Sequence, residues 1–133
     1  MGRTAEKVAA VAEELDAGFT GGDIGDDALF ARVMRDADNR CAGLVYAIGT
    51  INLKKVTRFT EVDFVHDFTL NALGAVRAVQ EALAAMRDSA QTASVVPFSS
   101  VATRQGFSFH ASMGMAKGAV NGLALSLAAE LAP

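Results

Sequence analysis

Tryptophan is absent from this chain, and cysteine, histidine and tyrosine are scarce: Cys41, His66, His110 and Tyr46 are the only such residues in 133. A single thiol cannot close a disulfide within the chain, and two histidines far apart make no cluster with metal-ligand spacing. A stapled fold and structural zinc are excluded, and no metal site is expected. Basic residues form no run and the formal net charge is −3, so the chain has no electrostatic footprint for a nucleic-acid backbone. The start, Met1-Gly2-Arg3-Thr4-Ala5-Glu6-Lys7, turns charged where a secretory signal requires an apolar run, and Glu6 stands where a myristoylation motif requires serine or threonine. The most apolar stretch, Ala119 to Ala132, is too short for a membrane span and is interrupted by Asn121 and Glu130. A cytoplasmic protein that binds neither nucleic acid nor membrane is expected. What is present is a composition 51% hydrophobic and 20% charged, which fits one compact unit with a sizeable core, or a piece of a larger one.

Periodicity gives the element order. Thr4 can cap a helix over 4–15, with Val8, Val11, Ala12 and Leu15 on one face. Ala17 to Thr20 reads as a short strand leading into the glycine-rich Gly21-Gly22-Asp23-Ile24-Gly25, after which Asp26 can cap a second helix through Leu29, Phe30, Val33 and Met34. Gly43 to Gly49 is a continuous apolar run that suits a strand covered on both faces. Thr60 and Asp63 are caps for a long helix ending near Arg87, Ala93 to Phe98 is a further strand, and Ala111 to Leu131 is a last long helix. Helices alternating with strands in this order wind around a parallel sheet, an α/β class. No repeat, linker or low-complexity segment divides the chain.

Taken together, the segments resemble the short-chain dehydrogenase/reductase family over nearly the whole chain. Gly2-Arg3 resembles the turn after the family's second strand, and Asp23, followed by Ile24, the acid after its third strand that contacts adenine. Tyr46-Ala47-Ile48-Gly49 is similar to its Asn-Asn-Ala-Gly strand end, and Asn71 to the asparagine of its fourth helix. Ser100 resembles its catalytic serine, and Met113-Gly114-Met115-Ala116-Lys117 its Tyr-x-x-x-Lys, at the family's spacing from Ser100. Glu130-Leu131-Ala132-Pro133 is a familiar run from which family members continue. The resemblance implies a partial Rossmann-like doubly wound parallel sheet with flanking helices, a single partial NAD(P)-binding domain over 1–133. It implies cofactor contacts at Asp23, Ile24, Ala47, Gly49 and Lys117, and catalytic positions at Asn71, Ser100, Met113 and Lys117. NAD or NADP would be the cofactor, a small carbonyl/alcohol pair the substrate, and a homo-oligomer through the two long helices the assembly.

Three departures qualify this reading. The chain begins beyond the family's strand, glycine-rich turn and helix, and Gly18 to Gly25 lacks the phosphate-cradling spacing, so a fragment with doubtful cofactor binding is expected. With the family's strand order the third strand would be left roughly 14 Å from the fourth, three inter-strand spacings of about 4.8 Å. Pro97 stands in a strand that should be central, where its missing N–H breaks a ladder bond. Met113 replaces the tyrosine that exchanges a proton with the substrate oxygen, and a thioether has no proton to give. Ser112 and His110 are nearby substitutes in sequence, better read as cap or loop contacts. Tyr46 reads as a core or rim aromatic, while Gly114, Gly118 and Gly122 form a small-residue stripe explained equally by oligomer contact or tight packing. Three functions follow: an NAD(P)-dependent oxidoreductase present as a truncated chain, a non-catalytic family-like binding or oligomerisation protein, and an unrelated α/β structural domain.

Overall fold

The structure, a computed structural model, describes residues 1–89 and 92–132; Pro133, last of the carboxy-terminal family-like run, lies outside them. Its elements are α1 (Ala5–Glu14), α2 (Leu29–Asp36), β1 (Gly43–Tyr46), a 3-10 turn (Val56–Arg58), α3 (Glu61–Phe68), a π turn (Thr69–Leu73), α4 (Gly74–Arg87), β2 (Ser94–Pro97), α5 (Ala102–Gln105) and α6 (Ala111–Leu131). The fold is a partial α/β Rossmann-like one, with β1 beside β2 in a parallel sheet. No helix among the described residues is long and apolar enough to cross a membrane.

The helices follow their sequence signals closely. Thr4 sits at the N-cap of α1 without a side-chain bond, and Asp26 Oδ1 accepts from Ala28 N at 2.9 Å, just ahead of α2. The start of α3 is a complete capping box: Thr60 Oγ accepts from Asp63 N while the Asp63 carboxylate accepts from Thr60 N. The helix expected over 60–87 is interrupted by the π turn, and Asn71 explains the interruption. Its Nδ2 donates to Asp67 O at 2.8 Å, the carbonyl that Asn71's own N–H would take in an α-helix, so the ladder widens locally.

The strands depart further from expectation. Ala17 to Thr20 is not a strand; the only β-pairing near it among the described residues is an isolated parallel bridge of the following Gly21 with Gly2. Just beyond it, Asp23 Oδ1 accepts from Gly25 N at 2.8 Å, and the two glycines give a strand no side chains to pack. The expected three-strand arrangement with its gap is therefore not seen: the described sheet has two strands. Nor is β1 covered on both faces, since Val45 is 63% exposed and Tyr46 2%, the alternation of a strand with one buried side. Pro97 breaks no bond to β1. Neighbouring amides in a strand point to opposite edges, and it is Phe98 N that donates to Tyr46 O, at 3.1 Å.

Contacts divide the chain into two compact units, residues 1–44 with 77–95 and residues 45–76 with 96–133. The first is built around Ala12, Ile24, Leu29, Phe30, Val79 and Met86. The second buries Tyr46, Ala72, Met113, Ala116 and Val120, and with them the polar Asp67, Asn71, Ser112 and Lys117. Tyr46 is a core aromatic, its hydroxyl donating to Leu70 O at 2.6 Å.

The capping box yields a direct test. Lys54 and Thr60 hold the Asp63 carboxyl well below the usual carboxylate range, so its stabilising effect is complete above the ordinary pKa of 3.8 and is lost as pH falls below it. Thr60→Ala is expected to lower unfolding free energy by about 1 kcal/mol. Urea titration at neutral pH measures this, and an unchanged midpoint would show that the box adds nothing to α3.

Candidate functional site

In the second unit three segments converge: the loop leaving β1, the π turn after α3, and the first turns of α6. Asn71 is fully buried. Its Nδ2 reaches Asp67 O at 2.8 Å and Thr50 Oγ1 at 3.3 Å, while its Oδ1 is the one buried side-chain polar atom without a hydrogen-bond partner among the described residues. A Cβ at Gly49 would stand 2.5 Å from that Oδ1 and 3.2 Å from Lys117 Nζ, so only glycine lets both groups address this point.

Lys117 reaches the site from α6. Nζ donates to Phe98 O at 2.7 Å, and its main-chain carbonyl accepts from Ser99 Oγ at 3.0 Å. Both ends of the residue are thus tied to the chain leaving β2. Burial pushes its pKa below the ordinary lysine range. Met113, one turn earlier on α6, is 6% exposed, and its thioether carries no proton to donate. Ser100 comes next after Ser99. Its Oγ accepts from Ala102 N at 3.2 Å and starts α5, which leaves its own proton free to donate.

The expected residues are thus partly assembled. Gly49, Asn71, Met113 and Lys117 lie in the second unit with Ser100 and an exposed Ala47, whereas Asp23 and Ile24 belong to the first. Asp23 spends one carboxylate oxygen on its own turn and Ile24 is a core residue. Ser112 is neither cap nor loop contact: fully buried, it donates to Asp67 Oδ2 at 2.6 Å. His110 does flank α6, with Nδ1 2.7 Å from Ser108 O. Sequence reading missed Asp67 and Thr50. The available signal was an acid placed four residues before a mid-helix asparagine. A separate cavity of about 560 Å³, lined by residues including Val56, Phe107, His110 and Met115, does not include Asn71, Ser100, Met113 or Lys117 in its wall.

Comparisons with known proteins show the family. A sequence model of the family described as enoyl-(acyl carrier protein) reductase matches residues 1–133. The chain belongs to that family, within the short-chain dehydrogenases/reductases. No curated protein matches it by sequence. Among solved structures, a short-chain dehydrogenase/reductase family protein is 26% identical with a TM-score of 0.87, over 97% of this chain and 55% of its own. A short-chain dehydrogenase/reductase from Burkholderia xenovorans is 29% identical with a TM-score of 0.82, over 97% of this chain and 57% of its own. ElxO, solved with NADP bound, shares the fold at 24% identity and a TM-score of 0.86, over 98% of this chain and 56% of its own. The chain spans little more than half the length of these structures.

A buried ammonium generates the prediction here. Below the lowered folded pKa of Lys117 the protein bears the full cost of burying the charge. Above the ordinary value of 10.5 both states are neutral and that cost vanishes. Lys117→Met is therefore expected to raise the urea midpoint at neutral pH, with the gain shrinking as pH rises through the window between the two values. A gain that instead grows with pH would show that the Phe98 carbonyl stabilises the ammonium by more than burial costs.

Proposed function

We propose that this chain is part of an NAD(P)-dependent oxidoreductase acting on a carbonyl/alcohol pair, with Met113 in the position of the family's tyrosine. The observation that carries this reading is the meeting of Lys117 Nζ and the unpartnered Asn71 Oδ1 over the bare Cα of Gly49. A buried cation and an orphaned buried carbonyl are costly in a scaffold and are characteristic of functional sites.

These residues fit the ribose and nicotinamide end of a dinucleotide. Gly49 leaves the space, and Lys117 retains two N–H donors beyond the one given to Phe98. The glycines of the first unit do not fit the phosphates: a Cβ on Gly22 would strike Leu29 Cδ1 at 2.5 Å, which makes it a packing glycine, and Gly25 N is taken by Asp23. The dinucleotide, when bound, supplies hydride. Ser100 would orient the substrate oxygen with its free proton, and Lys117 would hold positive charge beside it. A small-molecule carbonyl substrate and a cytoplasmic location belong to the same reading.

A second reading is favoured by Met113, whose buried thioether leaves no proton donor at that position. The chain is then a non-catalytic relative that binds or pairs without turnover.

Calorimetric titration with NADPH and NADH tests the first reading. The expected dissociation constant is weaker than about 10 μM, near −7 kcal/mol, and binding should disappear in Gly49→Val. Parent-like binding by Gly49→Val, or none by the parent, would remove the assignment. In a chain extended upstream by a phosphate-binding segment, restoring the proton donor with Met113→Tyr is expected to raise NAD(P)H-dependent reduction of ketones and aldehydes by about 10²–10⁴-fold, whereas in the 133-residue chain it is expected to change nothing measurable. An unchanged rate in a variant that binds dinucleotide would favour the non-catalytic reading.

A further inference from the structure

Asp67 is a carboxylate with no exposure, and the ring of the exposed His66 has Nδ1 3.8 Å from its Oδ1. Two hydroxyls satisfy it instead, Thr50 Oγ1 at 2.8 Å on Oδ1 and Ser112 Oγ at 2.6 Å on Oδ2. A hydroxyl has one proton, so a threonine that donates to Asp67 presents only lone pairs to its other neighbours. Thr50 must therefore accept from Asn71, as it does at 3.3 Å. The main-chain oxygen of Asp67, which can only accept, takes the same Nδ2. With two acceptors on one side, the Asn71 amide has a single satisfactory orientation, the one that turns Oδ1 toward Gly49. Ser112 meanwhile ties α6 to α3 one residue before Met113.

We propose that Asp67 is a positioning residue: by accepting one hydrogen bond from Thr50 and one from Ser112, it fixes the Asn71 amide and the seating of α6 on α3. Asn71 Oδ1 and Lys117 Nζ are thereby presented together over Gly49. The inference rests on reading these three residues as the site, yet its test needs neither cofactor nor turnover.

The measurement is solvent exchange of the Asn71 Nδ2 hydrogens by NMR in the 133-residue chain. Asp67→Ala frees the Thr50 proton to compete for the amide oxygen, and exchange should become about tenfold faster, the effect of losing roughly one hydrogen bond's net contribution. Asp67→Asn retains an acceptor for Thr50 and should recover most of the protection. Parent-like exchange in a folded Asp67→Ala, or exchange in Asp67→Asn as fast as in Asp67→Ala, would overturn the proposal. Where Asp67→Ala does not fold, the shape-preserving Thr50→Val should speed exchange and Thr50→Ser restore it; equal exchange in the two would overturn it as well. Failure of dinucleotide binding alongside the expected exchange pattern would remove the functional reading and leave the positioning role standing.

Discussion

The hydrogen bond from Asn71 Nδ2 to Asp67 O is the constraint from which much of the second unit follows. One side-chain amide takes a carbonyl that the helix would otherwise use, and the backbone widens into the π turn over Thr69–Leu73. Asn71 is thereby drawn back over α3 with Thr50 on the same side. The carboxylate of Asp67, on the same residue whose carbonyl is diverted, binds the loop leaving β1 and the start of α6. A main-chain distortion and a buried charge are thus two aspects of one arrangement, and neither would be stable without the hydroxyls that complete it.

An accounting of the buried polar groups sharpens the point. Asp67, Ser112 and Lys117 each have partners, and Asn71 has them for its nitrogen. Asn71 Oδ1 alone is left over. In an interior where unmet polar atoms are rare, a single remainder beside a lysine is informative. Lys117 is anchored at both ends, its Nζ donating to Phe98 O and its main-chain oxygen accepting from Ser99 Oγ. Burial, which disfavours the charged form, lowers its pKa.

Helices were legible because periodicity and caps are local properties. The box of Thr60 and Asp63 was visible in the sequence and is present in the structure, and α6 has the expected bounds. Strands were less legible because a strand depends on its partner. Ala17 to Thr20 has the composition of a strand, yet its neighbourhood supplies one bridge only. Gly43 to Gly49 is apolar throughout, yet Val45 and Val96 are exposed. The π turn has no periodic signature. Asp67 resembles a surface charge beside His66, and its burial becomes apparent only when Ser112 is brought to it from a distant helix. The resemblance singled out residues of the second unit that the structure brings together, but not Asp67 and Thr50, which connect them.

On the proposed oxidoreductase reading, the bonding pattern narrows which group could supply a proton. Ser112 has given its hydrogen to Asp67, so it cannot also protonate a substrate without breaking a buried charge-assisted bond. His110 lines the cavity from which Asn71, Ser100, Met113 and Lys117 are absent, and its Nδ1 is engaged by Ser108 O. Met113 has no hydrogen to give. Among the described residues that resemble the family's catalytic set, this leaves Ser100, whose oxygen accepts from Ala102 while its proton stays free, and the ammonium of Lys117. A serine hydroxyl is a far weaker acid than an ammonium, and burial makes this ammonium more acidic than an ordinary lysine. The group that would hold charge in the family's arrangement is therefore also the strongest acid that these residues retain.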